Sequence, residues 1–379
     1  MIKKIFLLIM ILTGSLFCRP VNFDSLVVKG IKEIYSIRFD DAGKTFRTLM
    51  ADYPEHPAGK FFLAMIDWWK ILLDLDNESY DDIFFAKLED VIFMCDEILE
   101  KDPDNIDALF FKGGSIGFRG RLRAIRESWL KAADDGREAI PIVQHAAKLD
   151  PSNVDVQLGF GIYDYYADVI PNEYPFVKPL MIFFPKGDKA KGIRELAQVA
   201  EKGKYARYES RYFLMQLFFH YENDYKKAEE YAVQLTSEFP NNPLFQRYLG
   251  RIAVRKGDYF KSDEVFSAVY NKCVKGYPGY GNVSRREATY YLGHYKKLIN
   301  NVDSAMIFLK ECIDISKKID RDEVSGFRIN ATIYLGNMYD LKGEREKALE
   351  CYNECLELRD YAHSHDSAKR FIEKPYGKY

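Results

Sequence analysis

The segment Ile329 to Cys355, INATIYLGNMYDLKGEREKALECYNEC, decides the fold, because two earlier segments align with it without gaps. These are Pro243 to Val269 (PLFQRYLGRIAVRKGDYFKSDEVFSAV) and Arg286 to Cys312 (REATYYLGHYKKLINNVDSAMIFLKEC). Each segment has Leu-Gly at its seventh and eighth positions, and the three glycines are 43 residues apart: Gly250, Gly293 and Gly336. A fixed period of this length is typical of proteins built from repeated helix pairs.

Side-chain size follows the same period. The twentieth position of each segment holds a small residue (Ser262, Ala305, Ala348), and the twenty-fourth holds a bulky one (Phe266, Leu309, Tyr352). A glycine and a small residue let two helices approach closely, and we expect the bulky residue to fill the seam to the next repeat. Gly257-Asp258 and Gly343-Glu344 predict the ends of first helices, since glycine is favoured just beyond a helix C-terminus.

This pattern resembles the tetratricopeptide repeat, a two-helix unit of 34 residues. Looser copies lie at Glu209 to Pro240 and at Phe23 to Pro54. Units with inserts lie between them, and we expect two of their second helices at Tyr80 to Lys101 and at Arg137 to Leu149. The resemblance implies an all-α protein, a right-handed α-α superhelix of about eight helix pairs. We expect divergent repeats with inserts at residues 23–203, regular repeats at residues 209–360, and a C-terminal cap or tail at residues 361–379.

The central part of the chain carries a narrower resemblance. The stretches Gly117 to Trp129, Leu158 to Tyr166 and Phe184 to Gly192 are similar to a group of uncharacterised bacterial tetratricopeptide proteins. They are more distantly similar to a eukaryotic family that includes a yeast mitochondrial outer-membrane protein. The aromatic stretch Tyr163 to Phe184 contains three prolines, Pro171, Pro175 and Pro179, with Pro185 just after it. Proline disrupts a helix interior, so we expect a bent insert there.

The first eighteen residues have the form of a secretory signal peptide. A basic start at Lys3-Lys4 is followed by the apolar run Ile5 to Leu12 and by small residues suited to cleavage. The run is too short to span a membrane. We therefore expect residues 1–18 to be removed and the chain to be exported, to the periplasm or the cell envelope. The alternative is a lipoprotein acylated at Cys18, although Phe17 before it is larger than that processing favours.

Composition and motifs argue against several classes of function. Lys plus Arg number 55 against 57 Asp plus Glu, so there is no basic excess to indicate nucleic-acid binding. No Cys/His spacing fits a metal site, and no glycine motif fits a nucleotide cofactor. Glu209-Ser210 with Leu214-Met215-Gln216 resembles two elements of lytic transglycosylases, but here both fall in one predicted helix, so we interpret the match as coincidence. We expect a non-catalytic protein without a cofactor.

A basic stripe is the best candidate for a binding site. Arg247, Arg251 and Arg255 share one helix face at i, i+4 and i+8. The resemblance implies that these positions line the concave surface of the superhelix. The equivalent positions of the neighbouring units add Phe213, Leu217, Tyr221, Tyr290 and His294. Such a groove suits an extended protein or peptide partner that carries carboxylates, because guanidinium groups bind them bidentately. Ion pairs with local acids are the alternative interpretation.

Other features remain open from sequence alone. A second basic cluster, Arg119, Arg121, Arg123 and Arg126, lies close to acidic residues and favours internal ion pairing. The cysteines beyond Cys18 read as small buried apolar side chains. The leading functional interpretation is a protein- or peptide-binding scaffold of the periplasm or envelope. The alternatives are a lipid-anchored subunit of an envelope assembly complex and a carrier of a small apolar ligand or lipid, the last suggested by the aromatic stretch Tyr163 to Phe184.

Overall fold

A computed structural model describes residues 21–181 and 184–377. The described residues form eighteen α-helices joined by short turns and three single-turn 3-10 helices, and they contain no β-strand. The α-helices are α1 (Val21–Tyr35), α2 (Phe39–Asp52), α3 (Ala58–Leu73), α4 (Asp81–Leu99), α5 (Ile106–Ile125), α6 (Trp129–Leu149), α7 (Gln157–Glu173), α8 (Lys178–Met181), α9 (Lys189–Lys202), α10 (Arg207–His220), α11 (Tyr225–Glu238), α12 (Pro243–Arg255), α13 (Tyr259–Val274), α14 (Asn282–Leu298), α15 (Val302–Ile319), α16 (Gly326–Leu341), α17 (Arg345–Glu357) and α18 (Ser364–Glu373).

The helices are arranged as eight antiparallel pairs, each helix packing on the next along the chain. The first helices are α1, α3, α5, α7, α10, α12, α14 and α16, and the second helices are α2, α4, α6, α9, α11, α13, α15 and α17. The short α8 belongs to an insert, and α18 packs on the last pair as a cap. The predicted all-α solenoid of about eight pairs is confirmed.

The turns between paired helices follow the 43-residue period. Gly257 and Gly343 have φ of 78° and 76°, in the left-handed region that favours glycine. Asn300, halfway between them, has φ of 57° and fills the same place. Asparagine tolerates this conformation better than most residues. The predicted helix ends at the two glycines are confirmed, and the middle unit uses an asparagine in the same role.

The repeated glycine and the repeated bulky residue meet inside one unit. A Cβ atom added to Gly250 would lie 2.5 Å from the ring of Phe266, and one added to Gly336 would lie 2.5 Å from the ring of Tyr352. Phe266 also stacks on Tyr291 of the next pair, with ring centroids 4.5 Å apart. The bulky residue therefore fills the seam to the next repeat, as expected, but its nearest wall is the glycine of its own unit.

Two expectations for the central region are wrong. We expected the second helix of the third pair to begin at Arg137, whereas α6 begins at Trp129. Asp135, which suggests a loop, is buried in this helix because Arg119 and Arg123 pair with it. Helix α7 also continues through Pro171, which lies in its last turn and breaks little of the helix. The bent insert therefore starts at Tyr174.

One continuous apolar core runs from Phe23 to Ile252 and crosses the predicted boundary between divergent and regular repeats. Smaller clusters fill the last three pairs. Among the cysteines, Cys95, Cys312, Cys351 and Cys355 are buried, and Cys273 is partly buried. Residues 1–18, including Cys18, lie outside the described part of the chain. No described helix is long and apolar enough to cross a membrane.

Candidate functional site

The inner face of the solenoid closes on itself. The side-chain amide of Asn242, just before α12, donates a hydrogen bond of 2.9 Å to the carbonyl oxygen of Tyr35 at the end of α1. The ring of Phe245 lies 5.6 Å from Trp69 of α3 and 6.1 Å from Tyr35. These contacts join residues about two hundred positions apart. The first helices of pairs one to six therefore surround a common interior, which we call the central cavity.

The central cavity has a volume of about 1160 Å³. Its wall consists largely of apolar and aromatic side chains, among them Phe61, Phe62, Trp68, Trp69 and Phe213. It continues past Arg247 and Arg251 to Arg286 and Phe327 of the last pairs. A concave, mostly apolar space with a few convergent polar groups is the usual form of a ligand site.

Two residues of the predicted basic stripe are held by an acid of the same chain. Arg247 Nε donates to Glu287 at 2.7 Å, and Arg251 donates to both oxygens of Glu287 at 2.5 Å. The carboxylate is fully buried. Burial alone would raise the pKa of Glu287, but Arg251 and Arg247 outweigh it and hold that pKa below its usual range. Arg247 and Arg251 therefore form ion pairs with an acid of the same chain, which was the alternative interpretation of the stripe. The single carboxylate of Glu287 balances only one of their two positive charges.

The third arginine lies on an open surface. Arg255 is exposed at the end of α12. Three rings from α14 and α16 stack nearly parallel: Tyr334 lies 5.3 Å from His294 and 6.1 Å from Tyr290. Lys297 lies 5.0 Å from the centroid of Tyr334. We call the surface formed by Tyr290, His294, Lys297 and Tyr334, together with Arg255 at the end of the neighbouring α12, the C-terminal groove.

Two features limit what the C-terminal groove can do. Burial lowers the pKa of His294 to about 4, with a smaller contribution from Lys297, so this imidazole is neutral near pH 7. The C-terminal segment covers one end, because Lys297 Nζ donates to the hydroxyl of Tyr376 at 3.2 Å. Of the two cations in the groove, Lys297 already makes a hydrogen bond to Tyr376, whereas Arg255 is exposed.

The predicted register of α10 is one residue out. Phe213 lines the central cavity, and Tyr221 lies partly buried at the end of the helix. Leu217, however, is fully buried in the core and has no surface with which to touch a partner. Gln216 faces the cavity instead and donates to the hydroxyls of Tyr212 and Tyr248 at 3.0 and 3.1 Å. The aligned positions differ because the link between the paired helices is one residue longer here (221–224) than in the next unit (256–258).

The second basic cluster divides into two parts. Arg119, Arg123 and Arg126 form internal ion pairs with Asp135 and Asp81, as expected. Arg121 points instead to the central cavity. This role was not predicted from the sequence. Arg119, Arg123 and Arg126 share one face of the helix, and Arg121 lies off that face, which could have indicated that it has a different partner.

Arg121 is held in a specific geometry. Its guanidinium lies 4.7 Å from the centroid of Trp68 and 4.2 Å from that of Phe213, so it is sandwiched between two rings. Its Nη1 donates to Glu209 at 2.7 Å, and the hydroxyl of Tyr35 donates to the other oxygen of Glu209 at 2.8 Å. Both oxygens of Glu209 thus have partners, and the residue serves as a structural counter-ion. In the described residues no cluster of three metal-binding side chains is found.

Comparison with known proteins gives the family of the repeat. A family model described as tetratricopeptide repeat matches residues 335–360. This match confirms the resemblance drawn from the sequence. No curated protein matches the chain.

Several solved structures are similar to the chain. The C-terminal part of a tetratricopeptide repeat-containing protein from Cytophaga hutchinsonii is 16% identical, with a TM-score of 0.39 over 82% of this chain and 98% of that one. A tetratricopeptide repeat protein from Parabacteroides merdae is 11% identical, with a TM-score of 0.38 over 78% and 95%. Yeast Tom70 is 13% identical, with a TM-score of 0.28 over 93% and 95%.

Proposed function

We propose that this tetratricopeptide-type repeat protein is a non-catalytic scaffold that binds an extended, acidic segment of a partner protein in the C-terminal groove. Stacked helix pairs expose a long concave surface on which such repeats bind proteins or peptides. The observation that carries the proposal is the stacked set of Tyr290, His294 and Tyr334, with the exposed Arg255 at the end of the neighbouring helix α12.

The charge of this region favours carboxylates. Arg255 and Lys297 give the C-terminal groove two positive charges. Guanidinium groups bind carboxylates bidentately, and flat rings accept apolar side chains with little loss of side-chain entropy. The imidazole of His294 adds no charge near pH 7, because burial lowers its pKa to about 4. The groove thus matches a peptide that alternates acidic and apolar residues.

The test uses defined peptides and the full chain. Twelve-residue peptides with acidic and aromatic residues are compared with analogues in which every Asp and Glu is replaced by Asn and Gln. We expect the acidic peptides to bind more tightly at low salt, and Arg255→Ala and Tyr334→Ala to weaken binding by about fivefold to tenfold each. Lys318→Ala, which removes an exposed cation from the second helix α15, is the matched control. Equal binding of the amide peptides, or no effect of Arg255→Ala, would reject the proposal.

Arg255 is the right arginine for this test. Reversing the charges of Arg247 and Arg251 would leave the buried Glu287 among like charges, so lost binding could reflect lost structure. Arg255 is exposed, and its replacement should leave the fold intact. A thermal melt of the Arg255→Ala variant that matches the wild type confirms that any loss of binding is local.

The proposed location is the periplasm or the envelope, after export directed by residues 1–18. The supporting observation is the basic start and short apolar run of the sequence. The intact mass of the mature protein from cells separates the alternatives, because an acylated Cys18 adds the mass of its lipid and would make the protein an anchored subunit. A mass that still includes residues 1–18 would contradict export by this route.

A further inference from the structure

We infer that the central cavity is a second binding site, for a single-chain amphiphile with a carboxylate head, that is, a long-chain fatty acid. The inference is independent of peptide binding in the C-terminal groove. It rests on the volume and lining of the cavity, on spare hydrogen-bond donors inside it, and on the charge of one wall.

The volume exceeds what a loosely packed core would leave. The cavity of about 1160 Å³ lies above the ~300–1,000 Å³ typical of pockets for small organic ligands. Several of its apolar lining residues, among them Phe118, Phe160 and Ile162, are only partly buried and keep accessible surface. An apolar chain would remove that surface from contact with water. The cavity therefore matches a ligand that is mostly hydrocarbon.

Donors without protein partners mark one end of this space. Arg121 has five N–H donors, and within the described residues only its Nη1 makes a hydrogen bond, to Glu209. The edge formed by Nε and Nη2 is the edge that binds a carboxylate bidentately. Trp68 is fully buried, and its Nε1 has no hydrogen-bond partner in the described part of the chain. The Trp68 ring packs on the Arg121 guanidinium and helps to fix its orientation, so the free donors that a ligand can reach are those of Arg121.

The charge of this wall leaves room for one carboxylate. The arginines that line the cavity on α5 and α12 are Arg121, Arg247 and Arg251, and the acids bound to them are Glu209 and Glu287. On these two helices, three positive charges face two negative ones. The free edge of Arg121 lies on this wall, and Tyr35 donates a hydrogen bond to Glu209 beside it. At this place a carboxylate therefore fits better than a cationic head.

An apolar rim borders the same cavity. Trp129, Tyr174 and Phe176 lie within 6.2 Å of one another, centroid to centroid. Phe176 is 62% exposed and Leu130 is 68% exposed. Trp129 and Tyr174 also line the cavity, so exposed rings and interior rings form one surface. Exposed apolar patches of this kind mark sites of contact with apolar partners, and this one gives a hydrocarbon chain a path to the interior.

Gly117 supplies the decisive variant. It lies on the cavity wall one helical turn before Arg121, and a Cβ atom added there meets nothing within 4 Å. Gly117→Phe would therefore place a ring in the space beside Arg121 from a position where the added Cβ meets no neighbour, and it removes no wall side chain. The control is Lys318→Phe, which adds the same ring to the exposed side of α15.

The experiment measures binding of palmitate and of hexadecan-1-ol to the delipidated full chain by equilibrium dialysis, with native mass spectrometry for stoichiometry. We expect one palmitate per chain, binding that Gly117→Phe abolishes and Lys318→Phe retains. Arg121→Lys keeps a cation for Glu209 but loses the planar fork, so palmitate should bind about tenfold or more weakly and hexadecanol should change little. Failure of palmitate to bind, or equal binding to Gly117→Phe, would overturn the site. Equal affinity for the acid and the alcohol would overturn the carboxylate assignment.

Discussion

The buried carboxylate of Glu287 gives the sharpest prediction for stability. It accepts three charge-assisted hydrogen bonds from Arg247 and Arg251, and its side chain has no exposed surface. Glu287→Gln keeps the shape but leaves two guanidinium groups without a counter-ion. Removing one partner of a buried ion pair costs about 3–5 kcal/mol. Arg251 is 22% exposed and can regain some hydration, so we expect a loss of about 3 kcal/mol in the free energy of unfolding.

The assay is urea unfolding followed by circular dichroism at pH 7. Asp303→Asn, which breaks an exposed pair with Lys342, is the control and should change stability too little to measure. Replacing Arg247, Arg251 and Glu287 together by leucine should recover most of the lost stability, because an apolar cluster leaves no unpaired charge. A loss below about 1 kcal/mol for Glu287→Gln would refute the view that this pair is desolvated.

The same variant has a pH signature. The folded-state pKa of Glu287 lies below its usual range, so its stabilising effect is fully present above the unfolded pKa of about 4.3 and is lost as pH falls through the folded pKa. The difference in stability between the wild type and Glu287→Gln should therefore shrink in acid. A difference that stays constant from pH 7 down to pH 3 would contradict this account.

Three further predictions concern other parts of the fold. Gly192→Ala should destabilise the protein more than Gly250→Ala. The new Cβ at position 192 would lie 2.6 Å from the backbone nitrogen of Tyr165, whereas at position 250 it would meet the side-chain ring of Phe266. The midpoint of urea unfolding should therefore be lower for Gly192→Ala than for Gly250→Ala. Burial raises the pKa of Cys95 and Cys312 to about 12, so these thiols should resist iodoacetamide at pH 8 in the folded protein and react in urea, as read by mass spectrometry of digests. Burial lowers the pKa of His294 to about 4, so its contribution to stability is complete above pH 6.5 and falls between pH 6.5 and 4; His294→Gln should flatten that slope in urea titrations.

The repeated part of the fold could be predicted because each of its signals is local. A glycine, a small residue and a bulky residue at fixed spacing determine one helix pair, and the glycine or asparagine turn follows the same period. The start of α6 could not be predicted in this way. Asp135 suggests a loop until Arg119 and Arg123, from the preceding helix, are known to pair with it. Long-range ion pairs of this kind override local propensity.

The candidate sites were predictable only in part, for a similar reason. Helix periodicity placed Arg247 and Arg251 on one face, but their counter-ion Glu287 comes from the next pair. The central cavity depends on Asn242 and Phe245 meeting Tyr35, a contact that no local pattern encodes. A shift of one residue in the aligned register was enough to make Gln216 the inward-facing residue, where the alignment had predicted Leu217.

The contact between Tyr35 and α12 also limits how this protein can change in length. In an open array, adding or deleting one unit disturbs only its neighbours. Here a unit added or removed between α1 and α12 would carry Asn242 away from the carbonyl oxygen that it binds. The closure extends to the loop after α13, where a Cβ atom added to Gly279 would lie 2.8 Å from Ile37. We therefore expect duplication or loss of repeats to be tolerated only beyond this loop, because the contacts between the two ends fix the number of units in the closed part.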